Sequence, residues 1–318
     1  MFDVAISQLT TLRWDLSQEL SHLTAGGFDA ISVWRPKLSD AGLGAAAASL
    51  ACAGVRVSSL QWAGGFAGGD GRSFGESIED AIEAIDAAAL LAAPVLVVHA
   101  GCRGGHTRAH ATRLLVEAIE TLAPIARRAG VVLGLKAVRA AAVPGCGLLT
   151  CVGEAIELVE RFNDPAIRLA LDLWQFGDED LSVTLPRLAA AAAVVQVADR
   201  CGPVSADSDR MPVGHGALPL ETIVAGLVEH GYRGDFEFDP VGERVEALGY
   251  ESVLGETRRL ANAWRDRLAL DHPDHGFAAA RGIEPAHVQL RGVHFRPAAG
   301  AAAGSRRSQA SSQTVSRG

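Results

Sequence analysis

Eight short runs of β-branched and apolar residues recur along the chain, each followed by a longer amphipathic stretch. The runs are Asp3–Ser7, Phe28–Val33, Val55–Leu60, Pro94–His99, Val131–Lys136, Ile167–Leu173, Ala193–Ala198 and Asp235–Asp239. Their length and β-branched content predict strands. The stretches between them carry apolar residues at helical spacing: Ser17–Ala25, Ser39–Ala53, Gly75–Ala92, His106–Ala129, Val152–Phe162, Leu181–Ala190, Leu218–His230 and Tyr250–Leu268. Gly54, Gly130 and Gly231 stand where helices commonly stop. Strand–helix alternation implies a parallel sheet with right-handed crossovers, and eight repeats favour closure into a (β/α)8 TIM barrel. An open doubly wound sheet is the rival, but no GxGxxG follows the first strand.

The periodicity ends near Leu270. Residues 1–270 are expected to form the barrel domain, and residues 271–318, rich in Ala, Gly, Ser and Arg at their end, a disordered tail. The 318 residues suit one α/β barrel, and 48% hydrophobic with 21% charged residues suits a soluble globular protein. A formal net charge of −8 argues against nucleic acid as a partner. The opening MFDVAISQLT has no secretory character, and apolar stretches such as Leu188–Val195 are too short to span a bilayer. Five scattered cysteines (Cys52, Cys102, Cys146, Cys151 and Cys201) form no CxxC pair. They read as reduced thiols of a cytoplasmic protein.

In such a barrel the chemistry lies at the C-terminal ends of the strands. Alternation turns Phe236 and Phe238 of the last strand towards the helices and Glu237 and Asp239 towards the axis. The same rule turns Asp172 of the sixth strand and Lys136 of the fifth inward. Lys136, Asp172 and Asp239 are therefore expected to converge, and such buried charges coexist only when paired. His99 ends the fourth strand, where an imidazole titrating near neutral pH could move protons. Trp34 and Trp62, after the second and third strands, are candidates to wall a sugar site. Arg35, Arg139 and Arg210 lie on the same side and could hold a carboxylate or phosphate, with solvation as the default reading.

Three stretches carry a family resemblance. ISQLTTLRWDLSQELSHLTAGGFDAISVWRPKLSDAGL, VSSLQWAGGFAG and MPVGHGALPLETIVAGLVEHGYRGDFEFD resemble, in order and spacing, the sugar phosphate isomerase/epimerases of the xylose isomerase-like barrel class. The resemblance runs from about Ile6 to Trp264. It implies a site with one divalent metal (Mn2+, Mg2+ or Zn2+) held by Glu, Asp, His and Glu at the ends of strands five to eight. Here those positions carry Lys136, Asp172, Gln196 and Asp239, so three of four depart, and Gln175 replaces a common His. The family set carries about −3, this one about −1. The expectation is a degenerate site, no metal cofactor, and the Lys136 ammonium held by Asp172 and Asp239 in roughly the metal's place.

The resemblance further implies proton transfer on a sugar, polyol or related keto compound. Lys136 would stabilise an enediolate, while Asp172, Asp239, Glu237, His99 or His215 (from the GHG loop) shuttle protons. Trp34, Arg35, Trp62, Arg139, Gln175, Gln196 and Arg210 would bind the substrate. Family barrels are often homo-oligomers. The alternative is a catalytically silent barrel that binds a sugar-like ligand or a pathway partner. A third reading, a nuclease-like barrel with a three-metal cluster, lacks its ligands here.

Overall fold

The computed structural model describes residues 2–143 and 148–271; the tail expected from residue 271 onward lies almost wholly outside them. Eight parallel strands close in sequence order, with β8 hydrogen-bonded back to β1. They are β1 (Asp3–Ser7), β2 (Ala30–Trp34), β3 (Arg56–Gly64), β4 (Val95–His99), β5 (Val132–Lys136), β6 (Ile167–Asp172), β7 (Ala192–Val197) and β8 (Asp235–Phe238). The predicted strands all form, within a few residues at each end. β3 is the longest and extends to Gly64, so Gln61 and Trp62 lie in the strand rather than after it.

Eleven helices cover the barrel among the described residues: α1 (Leu16–Ala25), α2 (Arg35–Ala41), α3 (Leu43–Ala53), α4 (Phe74–Leu90), α5 (Arg108–Ala129), α6 (Val152–Phe162), α7 (Leu173–Phe176), α8 (Leu185–Ala191), α9 (Leu220–Glu229), α10 (Glu243–Leu248) and α11 (Tyr250–Asp271). Local chemistry starts and stops them. Asp15 with Gln18, and Ser73 with Glu76, form capping boxes at α1 and α4. Gly54, Gly130 and Asn163 close α3, α5 and α6 in the left-handed conformation. The helix expected over Ser39–Ala53 is two helices, because Gly42, at φ 77°, turns the chain between α2 and α3. No helix among the described residues is long and apolar enough to cross a membrane.

Two of the apolar clusters among the described residues lie on either side of the barrel wall. Outward strand residues such as Phe236, Phe238, Leu133 and Leu171 pack against the helices. Inside the barrel, Val95, Val97, Ala170 and Val194 form a separate small cluster. Gly134 belongs to this inner layer for a steric reason. A Cβ there would lie 3.0 Å from Val95 Cγ1 and 3.3 Å from Ala170 Cβ. Above the apolar floor the interior turns polar, with Ser32, Ser59, Gln61, Gln196 and Glu237 all at most 3% exposed.

Candidate active site at the barrel mouth

The polar layer is a single hydrogen-bonded system. Ser32 and Ser59 hydroxyls lie 3.1 Å apart, and Gln61 Nε2 donates to Ser32 at 2.7 Å. Gln61 Nε2 also donates weakly, at 3.4 Å, to Glu237 Oε2, and Gln196 Nε2 does the same from the opposite side. Ser58 Oγ donates to Glu237 Oε1 at 2.6 Å. Gln196 Oε1 in turn accepts from Lys136 Nζ. Neutral donors thus surround Glu237, and burial lifts its carboxyl from the usual range to about 7, with Ser58 and Ser59 opposing that rise.

Lys136 links this layer to an ionic cluster. Its Nζ lies 2.8 Å from Asp172 Oδ2. Arg210, from the loop after β7, grips Asp172 with two parallel bonds of 3.0 Å. The same guanidinium donates to both oxygens of Asp239 at 2.6 and 2.5 Å, and its centre lies 4.9 Å from the Trp174 ring centroid. Burial alone would raise Asp172, but Arg210 and Lys136 more than offset it and hold this carboxyl well below the usual range. Asp239 is lifted by burial to about 6, Arg210 opposing and Asp172 adding to the shift. Two cations thus meet two carboxylates, with the raised Glu237 below.

Beside the cluster, over the β2–β5 half of the mouth, lies a cavity of about 720 Å³. Trp34, Arg35, Trp62, His99 and Lys136 line it, as does Gln61. Lys136 is therefore the hinge between cavity and ionic cluster. Gly64 lets this wall form: a Cβ there would meet the His99 carbonyl oxygen at 2.2 Å. The Nε2 atom of His99 and the Nε1 atom of Trp34 are buried without a hydrogen-bond partner. Burial, and then the Lys136 charge, push His99 down from 6.5 to about 3. It is a neutral imidazole at physiological pH, not the near-neutral proton shuttle expected.

Several other expectations are corrected by geometry. Lys136 does pair with Asp172, but Asp239 is held by Arg210 rather than by Lys136. Arg210 is spent on these two carboxylates instead of lining the cavity. His215 binds Glu256 of α11 at 2.9 Å, with Arg244 at 3.4 Å from its other nitrogen, and is not on the cavity wall. Arg139 pairs with Asp178 and Glu179, while its backbone N–H donates to Gln175 Oε1 at 3.1 Å. Both support the loop after β5 rather than the cavity. Gln196 and Glu237 lie within the barrel, fully buried, so neither touches the cavity directly.

Sequence reasoning missed the outer ring of charge. Arg35 donates to Asp80 through both terminal nitrogens at 3.1 and 2.9 Å. Arg72 reaches the same Asp80 at 2.9 Å and Asp70 at 2.6 Å. No trio of His, Cys, Asp or Glu among the described residues converges as a metal-ligating group.

Residues 21–257 match the family model of the xylose isomerase-like TIM barrel. The chain belongs to this family. Solved structures share its fold. A protein of Sinorhizobium meliloti 1021 is 23% identical, with a TM-score of 0.74 over 82% of this chain and 97% of that one. The IOLI protein, solved with a bound zinc atom, is 18% identical, with a TM-score of 0.73 over 84% and 99%. L-ribulose 3-epimerase is 17% identical, with a TM-score of 0.68 over 89% and 100%. No curated protein matches the chain by sequence. The xylose isomerase-like barrel of this chain thus shares its fold with these solved structures.

Proposed function

We propose that this barrel transfers a proton next to a carbonyl or hydroxyl of a sugar, polyol or related keto compound, as an isomerase or epimerase would, without a divalent metal. The observation that carries the reading is the pairing of Lys136 and Arg210 with Asp172 and Asp239. A divalent ion does not fit these residues. The oxygens that would hold it already accept from an ammonium and a guanidinium, and an ion between them would face two fixed positive charges.

An ammonium has three N–H donors. Lys136 gives one each to Gln196 and Asp172, which leaves the third for the cavity it lines. That donor can stabilise the oxygen of an enediolate as charge develops on it. His99, paired with Lys136 across β4 and β5, offers a neutral imidazole to the same oxygen or its neighbour. Glu237, at about 7, is the carboxyl best matched to proton exchange near neutrality, and it lies below the cavity, hydrogen-bonded to the cavity-lining Gln61.

One observation favours a second reading, a binding barrel without turnover: the amides of Gln61 and Gln196 stand between Glu237 and the cavity. Deuterium exchange into a panel of sugars, polyols and keto sugars decides between the two. The first reading expects wash-in of solvent deuterium by the wild type, lost at least about a hundredfold in Lys136→Ala. Absence of wash-in across the panel, with ligand binding retained, leaves the second.

A further inference from the structure

The cavity's walls say more about the ligand than its floor does. Its cations are already matched: Arg35 to Asp80, Arg72 to Asp70 and Asp80, and Lys136 to Asp172. A phosphate or carboxylate entering here would have to displace a carboxylate from each arginine it used, at the cost of leaving that carboxylate unpaired. These matched cations favour a ligand that is uncharged where it meets this wall.

The rest of the wall is apolar. Trp62 and Val143 are large hydrophobics each 42% exposed, and both face this cavity. Val138, Leu148 and Leu149, from the segment after β5, complete the same side. Exposed apolar surface gathered in a concave site marks binding. Next to it, the His99 ring lies 5.1 Å from that of Trp62, and the buried, unpartnered Trp34 Nε1 and His99 Nε2 with the remaining Lys136 donor make up the polar part of the wall. A volume of about 720 Å³ is well beyond the needs of one monosaccharide and falls within the range of drug-sized ligands.

We propose that the natural ligand is an uncharged two-part molecule: a hydroxylated or carbonyl-bearing head in the corner formed by Trp34, His99 and Lys136, joined to a flat apolar group that lies against Trp62, Val143 and Leu148. An aryl glycoside or an aryl-substituted polyol has this chemistry; a sugar phosphate does not. The inference deepens the proposed function by naming the substrate class of the same site.

The test measures binding, not turnover. Calorimetry and tryptophan fluorescence with the full chain would compare phenyl and methyl glycosides of several hexoses and pentoses, together with the corresponding sugar phosphates. The phenyl member of at least one pair is expected to bind about tenfold or more tighter than the methyl member, from burial of the ring. Trp62→Ala, at an exposed position that leaves the fold intact, is expected to erase that preference. Equal binding of phenyl and methyl members, no binding by any ring-bearing compound, or tightest binding by a phosphate overturns the inference. A ring preference without deuterium wash-in removes the proposed activity and leaves this ligand class standing. Wash-in confined to ringless sugars does the reverse.

Discussion

Arg210 and Asp172 meet through two parallel N–H···O bonds of 3.0 Å, inside a barrel where such a pair has little water to compete with it. The guanidinium comes from a loop and the carboxylate from the end of β6, so the bond ties the loop after β7 to the barrel wall. Removing the cation leaves Asp172 and Asp239 facing each other with Lys136 as their remaining counter-charge. Arg210→Ala is expected to cost about 3–5 kcal/mol in urea unfolding. Arg210→Lys should recover only part of that, because an ammonium cannot reproduce the fork. A loss below about 1 kcal/mol would show that the pair contributes little.

Metal affinity should depend on the same two cations. The wild type is expected to give no stoichiometric Mn2+ or Zn2+ binding by calorimetry at this cluster. The double variant Lys136→Glu/Arg210→Ala, which restores a carboxylate and frees two others, should gain measurable affinity. Tight, stoichiometric binding by the wild type would falsify the metal-free reading.

Glu237 makes stability fall with rising pH. Its folded value, about 7, lies above the ordinary 4.5, so the folded chain holds the extra proton between these values. This stabilisation is complete below 4.5 and lost as pH rises through about 7; its size is roughly 3 kcal/mol. Asp239, raised to about 6, acts with the same sign but is exhausted sooner. The difference in urea midpoint between the wild type and Glu237→Gln should therefore shrink as pH rises from about 4.5 to 7, because His99 and Asp172 act with the opposite sign in both proteins and cancel from the comparison. An unchanged slope in the variant would assign the proton elsewhere.

His99 behaves in the opposite sense. A value of about 3 against 6.5 means that it folds neutral, and its contribution is present above 6.5 and lost as acid drives the ring towards its charged form. Its imidazole resonances are expected to stay fixed from about pH 5 to 8, the range in which an exposed histidine titrates. Movement of those resonances with a midpoint near neutrality would return His99 to the role of proton shuttle.

The barrel was legible because strands have a period of two and helices of 3.6, and both periods persist in alternation from Asp3 to Leu268. The same period placed Lys136, Asp172 and Glu237 inside, as the structure does. What it could not reach were contacts made by loops. Arg210 enters through a stretch whose only regular pairings are single bridges, Arg210 with Val241 and Asp199 with Met211. His215 sits four residues past Met211 between two glycines, and nothing in that spacing says that it turns to Glu256. The Arg35–Asp80–Arg72 ring brings Arg35 to a residue 45 positions away with no shared periodicity. Depth was the other blind spot: alternation says that Glu237 faces the axis but not that Gln61 and Gln196 cover it.

The positive charge beside Asp172 is built into the polypeptide, on Lys136 and Arg210. A chelator cannot strip it, and scarcity of ions in the surroundings cannot deplete it. The charge at the mouth of the barrel persists for as long as the chain stays folded.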